Sequence, residues 1–175
     1  FFFKKLFPSI FSSGVTQINI LVGTIIASFQ AGAVSYLYYA DRVYQINLAV
    51  AGIAVSTVSL PALSRSLKKK NFFKINKIQN LSLELSLLLS IPASLGLIIA
   101  HEEIINALFG YGSFSEENIK MTSQALKYFG YGIPAFALVK IFSNFFFARD
   151  NTKTPFYISL LIVCINISLS LIFFN

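Results

Sequence analysis

Five long apolar blocks, separated by short polar segments, restrict the folds open to this chain. They run from Ser9 to Phe29, Val34 to Leu63, Ile78 to Ala100, Thr122 to Ala148 and Thr154 to Asn175. Each block reaches the roughly 20 residues that a helix needs to cross the hydrocarbon core of a bilayer. The blocks do not alternate between apolar and polar residues as the strands of a membrane barrel do. Lipid offers no hydrogen-bond partners to backbone N–H and C=O groups, and a helix satisfies these groups internally. We therefore predict an all-α, polytopic transmembrane bundle of about five helices, forming a single transmembrane domain over residues 1–175.

The charge content supports a membrane location and argues against nucleic acid as a partner. Charged residues make up 12% of the 175 residues, about half of the fraction found in soluble domains. The net charge of +7 arises largely from short basic runs between the apolar blocks. Such runs are typical of topology signals, not of a groove that binds phosphates. We expect membrane lipids, and no nucleic acid, as partners.

The basic residues concentrate on alternate connecting segments and so predict an orientation. Ten of the 14 lie in three places: Lys4 and Lys5, the segment from Arg65 to Lys77, and the pair Arg149 and Lys153. Membrane proteins keep such segments on the cytoplasmic side. The amino-terminal end is therefore predicted to be cytoplasmic, and the acidic segment 101–120 external.

Two charges interrupt the second block, in the stretch YLYYADRVYQ. At helical spacing Ser35, Tyr38, Arg42 and Gln45 share one face, which continues through Ala49, Gly52 and Ser56. A face of small and polar residues is typical of contact with protein or water. The alternative is an interfacial position: residues 43–64 alone can span, and Arg42 then lies in a belt of tyrosines. The sequence leaves both interpretations open.

Lys140 is far from either end of its block. It lies roughly 14 Å along a helix from Arg149 and roughly 18 Å from Tyr128. A charge at such a depth costs at least ~3 kcal/mol on insertion scales, so a cavity or a partner should compensate it. Glu84 in the third block is a candidate partner, and a purely structural ion pair is the alternative.

Catalytic and metal-binding patterns are weak. His101 is the only histidine and Cys164 the only cysteine, and they lie in different segments. A metal site needs several such ligands, and neither a Ser/His/Asp set nor a phosphate-binding glycine loop stands out. We predict that the chain is not an enzyme and has no cofactor and no metal site.

Several stretches together resemble a known family. SGVTQINILVGTIIASF is followed by GAVSYLYYADRVYQINLAVAGIAVSTVSLPALSR, then by LFGYGSFS, and finally by the stretch from Lys140 through FFFARDNTKTP. This order resembles the MurJ/MviN lipid II flippases of the MOP exporter superfamily. YYADR followed by LPALSR is the most specific part. The resemblance covers essentially the whole chain and implies helices seven to eleven of fourteen, in the second lobe.

The resemblance implies a transporter of the bacterial inner membrane. Its substrate would be the undecaprenyl-diphosphate-linked peptidoglycan precursor, lipid II, and its partner the amino-terminal lobe of the same protein. Arg42 would line a cationic central cavity, with Asp41 orienting or partly neutralising it. Tyr38 and Gln45 would lie on the same wall, and we add Lys140 as a further substrate-binding candidate.

Two departures from the family pattern bear on energy coupling. Gly23 and Ser170 stand where relatives can carry carboxylates associated with a cation site. Without those carboxylates a cation loses its main charge compensation, so we expect membrane potential to drive transport. The alternatives are another exporter of the superfamily, for a polysaccharide lipid or a cation-coupled drug, and a membrane enzyme acting on a polyprenyl phosphate.

Overall fold

The computed structural model describes residue 17 and residues 20–173, which form helices joined by short turns. Residues 20–28 are helical and make up the described part of α1, so the first apolar block lies partly outside the described residues. The later helices are α2 (Ala33–Leu48), α3 (Val55–Lys68), α4 (Phe72–Ile99), α5 (His101–Phe109), α6 (Glu116–Ala148) and α7 (Lys153–Phe173). A π-helical turn, Ala49–Ala54, joins α2 to α3.

Four described segments are long and apolar enough to cross a membrane. They are Ala33–Lys68, Phe72–Ile99, Glu116–Ala148 and Lys153–Ser170, and they correspond to the last four predicted blocks. Within residues 20–173 there is no strand. The predicted all-α transmembrane bundle is confirmed. Helix α5 has no apolar block of its own, so hydropathy does not predict it.

The chain divides into two compact units. One is Ser35–Ala148, which contains most of α2 and all of α3 to α6. The other consists of the described parts of residues 1–34 and 149–175. That the chain forms one domain stays a prediction.

A row of buried serines lets α4 approach its neighbours closely. Two of these serines donate hydrogen bonds to backbone carbonyls of other helices: Ser86 Oγ to Ala51 O at 3.1 Å, and Ser94 Oγ to Gly130 O at 2.7 Å. Small side chains and interhelical hydrogen bonds are the usual means of joining helices in lipid, where burial of apolar groups gives no advantage. The full row, spaced by four residues, is Ser82, Ser86, Ser90 and Ser94.

Gly130 lies at a close contact of α6 with α4. A Cβ atom added there would lie 3.1 Å from Ile98 Cγ1 and 3.3 Å from Leu97 Cβ, whereas a Cβ on Gly96 would meet nothing within 4 Å. We expect Gly130→Leu to destabilise the protein by roughly 1–3 kcal/mol because it overpacks this contact. Gly96→Leu, the matched control, should be neutral or stabilising by up to ~1 kcal/mol through helix propensity. Thermal unfolding of the purified full-length variants in detergent measures both, and equal effects would contradict the packing.

Candidate functional site

Arg42 lies exposed on α2 and is held by Tyr38, one turn earlier in the helix. Its Nη2 donates a hydrogen bond to the Tyr38 hydroxyl at 2.7 Å, and its Cζ lies 4.5 Å from the centroid of the Tyr38 ring. Both contacts come from one side chain on the same helix. They orient the guanidinium without covering it.

Asp41 is paired with Gln45 and not with Arg42. The Gln45 side-chain amide donates to the Asp41 carboxylate, one turn apart on α2. Within residues 20–173 no ion pair joins Asp41 to Arg42. The sequence-based expectation that Asp41 orients Arg42 is therefore replaced by orientation through Tyr38.

The guanidinium of Arg42 keeps most of its hydrogen-bonding capacity. A guanidinium has five N–H donors in a planar fork, and the hydroxyl of Tyr38 takes one of them. Among the described residues no other group accepts from it. A fork with free, adjacent donors is suited to bidentate binding of a phosphate or carboxylate.

One of the tyrosines around Arg42, Tyr44, does not belong to an outward-facing belt. Tyr44 is 7% exposed and packs against Phe129 and Phe136 of α6, with ring centroids 5.5 and 5.8 Å away. Its ring points into the bundle, whereas an interfacial belt requires rings that face lipid headgroups. Tyr38 and Tyr39, also members of the proposed belt, are 54% and 36% exposed, and the Tyr38 ring supports Arg42. The position of Arg42 in a cavity therefore stays a prediction.

The beginning of α2 contacts the segment predicted to be external. The Tyr36 hydroxyl donates to Asn118 Oδ1 at 3.1 Å, and the Tyr39 ring packs against Phe109 at 5.0 Å and Phe114 at 5.5 Å. Arg42 follows Tyr36 by about 9 Å along the helix axis. Arg42 follows Tyr39 by only about 4.5 Å, so it lies within one helical turn of the residues that contact this segment.

The π-helical turn divides the polar face predicted for residues 35–56. Tyr38, Arg42, Gln45 and Ala49 are exposed, but Gly52 and Ser56 are buried. A π turn adds one residue to the helix and so rotates the next helical segment by about 100°. The prediction that all these residues share one face is wrong beyond Ala49, and the second half of the stripe packs inside the bundle instead.

Two side chains from neighbouring helices bind carbonyl groups in and just after the π turn. Ser86 of α4 donates to Ala51 O, and Asn144 of α6 donates to Ser56 O at 2.8 Å. Unsatisfied carbonyls in lipid are costly, so these bonds stabilise the irregular turn. Neither role was predicted, although a lone asparagine in an apolar block is a signal that could have indicated Asn144.

Lys140 lies apart from the α2 group. It is exposed on α6, and Glu84 is exposed on α4. No ion pair joins the two in the part of the chain that the structure describes, nor does Lys140 bond to the side chains around Arg42. The four α2 residues are thus brought together by one helix, and the role of Lys140 stays a prediction.

Fold and site together define a multi-pass α-helical membrane protein with a cation on an exposed helix face inside an apolar segment. The family model described as lipid II flippase MurJ matches residues 1–175. The chain belongs to this family.

Relatives and a solved structure agree with this assignment. The chain is 45% identical over 167 residues to the probable lipid II flippase MurJ of Rhizobium meliloti (strain 1021), covering 95% of this chain and 31% of that protein. It is 40% identical over 165 residues to the protein of the same description from Rickettsia prowazekii (strain Madrid E), covering 94% and 32%. The solved lipid II flippase MurJ in an inward closed conformation matches with a TM-score of 0.87 and 34% identity, over 95% of this chain and 35% of that one. The chain thus spans about a third of the length of these proteins.

Proposed function

We propose that this chain is part of a lipid II flippase, which moves the undecaprenyl-diphosphate-linked peptidoglycan precursor from the inner to the outer leaflet of the bacterial inner membrane. In this proposal the exposed face of α2 binds the diphosphate. Arg42 is the principal ligand, Tyr38 positions it, and the linked pair Asp41 and Gln45 forms the adjacent wall. Lys140 is a second cation of the same cavity.

The observation that carries this proposal is the exposed guanidinium of Arg42 within a helical segment apolar enough to span a membrane. An arginine facing acyl chains is strongly disfavoured, so its face is expected to line water. A diphosphate presents several oxygens to the free N–H donors, and charge-assisted pairs of this kind are among the stronger hydrogen bonds. A neutral substrate would leave the charge uncompensated.

Transport follows from alternating exposure of this face to the two sides of the membrane. The hydrophilic headgroup cannot cross hydrocarbon, whereas the polyprenyl tail remains in it, so only the headgroup needs a protein cavity. Rocking of two lobes around a fixed site is the usual solution. The first lobe is the amino-terminal part of the same protein, and no covalent bond changes. Membrane potential would act on the charge moved, at ~2.3 kcal/mol per unit charge per 100 mV.

The proposed orientation places the amino-terminal end of the chain and the α3–α4 turn in the cytoplasm. The distribution of lysines and arginines supports it. With this orientation the contact of Tyr36 with Asn118 lies on the external side, and Arg42 is in the outer half of the membrane.

Reconstitution tests the proposal against its competitors. Full-length protein in vesicles is expected to expose a labelled lipid II to an external reagent, at a rate that depends on an imposed potential and not on sodium. Strict sodium dependence would favour a cation-coupled exporter. Release of a cleaved polyprenyl product would favour an enzyme, and either result would reject the proposal as stated.

A further inference from the structure

The turn between α3 and α4 carries an unbroken concentration of positive charge. Between residues 65 and 77 there are six basic side chains and no acidic one. Every one of the six is exposed. They are Arg65, Lys68, Lys69, Lys70, Lys74 and Lys77.

The backbone of this turn is closed by hydrogen bonds. Lys70 N–H donates to Leu67 O at 3.0 Å and Asn71 N–H to Ser66 O at 3.2 Å, which is the double hydrogen bond of a Schellman motif. The Asn71 side chain then accepts from Lys74 N–H at 3.0 Å and begins α4. The lysines therefore lie on a hydrogen-bonded turn of defined geometry.

Lys70 occupies a position for which glycine is the favoured residue. Its φ of 53° lies in the left-handed region, where a Cβ is disfavoured and where Schellman motifs usually have glycine. A lysine at this position adds a positive charge, although its Cβ makes the left-handed backbone conformation unfavourable. This observation is independent of the number of charges in the turn.

Apolar groups accompany the charges on the same surface. Phe72 and Phe73 are 74% and 83% exposed. A groove of about 410 Å³ beside them is lined by Lys74 and Lys77 as well as by apolar side chains further along α4. The lining residues are Asn71, Phe73, Lys74, Lys77, Ile78 and Leu81.

We propose that this groove binds an anionic phospholipid of the cytoplasmic leaflet. Lys74 and Lys77 contact its phosphate, the turn lysines add attraction, and an acyl chain lies along Ile78 and Leu81. Anionic headgroups attract juxtamembrane lysines, and exposed aromatic residues insert at the bilayer interface. A topology signal needs only the charge, so the phenylalanine pair, the left-handed lysine and the groove argue for a lipid site. This proposal is independent of the substrate site on α2.

Native mass spectrometry of the delipidated full-length protein tests it with phosphatidylglycerol and phosphatidylcholine of equal chain length. The variant Lys74→Gln/Lys77→Gln should bind phosphatidylglycerol at least about tenfold more weakly, since each lysine near an anionic surface contributes appreciably. The matched control, Lys120→Gln/Lys127→Gln, removes two charges from the opposite end of the bundle and should bind as the unmodified protein does. Equal loss in both double variants, or loss in neither, would overturn the proposal. Displacement of the lipid by inorganic phosphate would assign the site to a soluble anion and overturn it too.

Lys70→Gly separates a lipid-binding role from a structural one. The substitution relieves the left-handed backbone, so the melting temperature should rise or stay unchanged. The affinity for phosphatidylglycerol should nevertheless fall, because one cation is lost. Unchanged lipid affinity in a stabilised variant would show that the charge of Lys70 does not contribute to lipid binding and would contradict its part in the site.

Discussion

Arg42→Ala is expected to abolish growth support by the full-length protein in a flippase-depleted cell. The guanidinium is the only cation among the α2 residues assigned to the site, and its free N–H donors have no replacement there. Loss of one bidentate, charge-assisted contact is worth about 3 kcal/mol, or roughly 100-fold in affinity for the diphosphate. Binding of lipid II to the purified variant should fall by a similar factor while its melting temperature stays close to that of the unmodified protein.

Two further variants are controls for the effect of Arg42→Ala. Arg42→Lys keeps the charge but loses the planar fork and its stacking on Tyr38, so we expect intermediate affinity. Lys120→Ala removes an exposed charge from the beginning of α6 and should leave growth unchanged. Normal growth with Arg42→Ala, at normal protein level, would reject the binding role of this residue.

Deletion of Ala49 is expected to inactivate the protein as completely as Arg42→Ala. Removing one residue allows the π turn to become ordinary α-helix, which rotates α2 against α3 by about 100°. If α3 keeps its packing on α4 and α6, α2 rotates and the side chain of Arg42 points away from the face that it now occupies. If α2 keeps Tyr44 between Phe129 and Phe136, the contact of Ser86 with Ala51 O is lost instead.

Substitution at the same position is the control for this deletion. Ala49 is exposed, so Ala49→Ser retains the residue count and should support growth. Complementation and the amount of protein in the membrane measure both variants. Full activity of the deletion variant would show that the π turn does not set the direction of Arg42.

Hydropathy predicted the architecture because each span must satisfy its own backbone in lipid. The blocks starting at Val34, Ile78, Thr122 and Thr154 all lie in helices that are long and apolar enough to span a membrane. Where the helices extend past the blocks, as α4 does from Phe72 and α6 from Glu116, they extend into polar sequence. Hydropathy does not detect helical segments that lie outside the membrane, and for the same reason it did not predict α5.

The polar face of α2 could be predicted only in part. Helical spacing correctly grouped Tyr38, Arg42 and Gln45, because periodicity holds while the helix is regular. It failed at Gly52 and Ser56, since nothing in the sequence AVAGIA distinguishes a π turn from an α-helix. Tertiary bonds from Ser86 and Asn144 stabilise that turn, and such bonds depend on neighbouring helices that periodicity does not describe.

The pairing of Asp41 also depends on choices that spacing leaves open. A carboxylate on α2 can reach the next residue's side chain or the residue one turn later, and the structure pairs it with Gln45. As a result no carboxylate of the described residues forms an ion pair with Arg42. This arrangement favours anion binding more than the predicted contact between Asp41 and Arg42 would.

Water accessibility on the exposed face of α2 is the most direct test of the binding site. In full-length protein from which Cys164 and any other cysteine have been removed, single cysteines at Leu37, Arg42 and Gln45 can be treated with a charged, membrane-impermeant thiol reagent. All three positions are exposed, but Leu37 lies about 140° around the helix from Arg42, whereas Gln45 lies about 60° from it. Leu37 is also about 8 Å nearer the predicted external end, so depth alone would make it the more accessible position. We expect Arg42→Cys and Gln45→Cys to be modified rapidly and Leu37→Cys to be protected by lipid. Protection at Arg42 and Gln45 would place that face against acyl chains and contradict a wet, diphosphate-binding cavity.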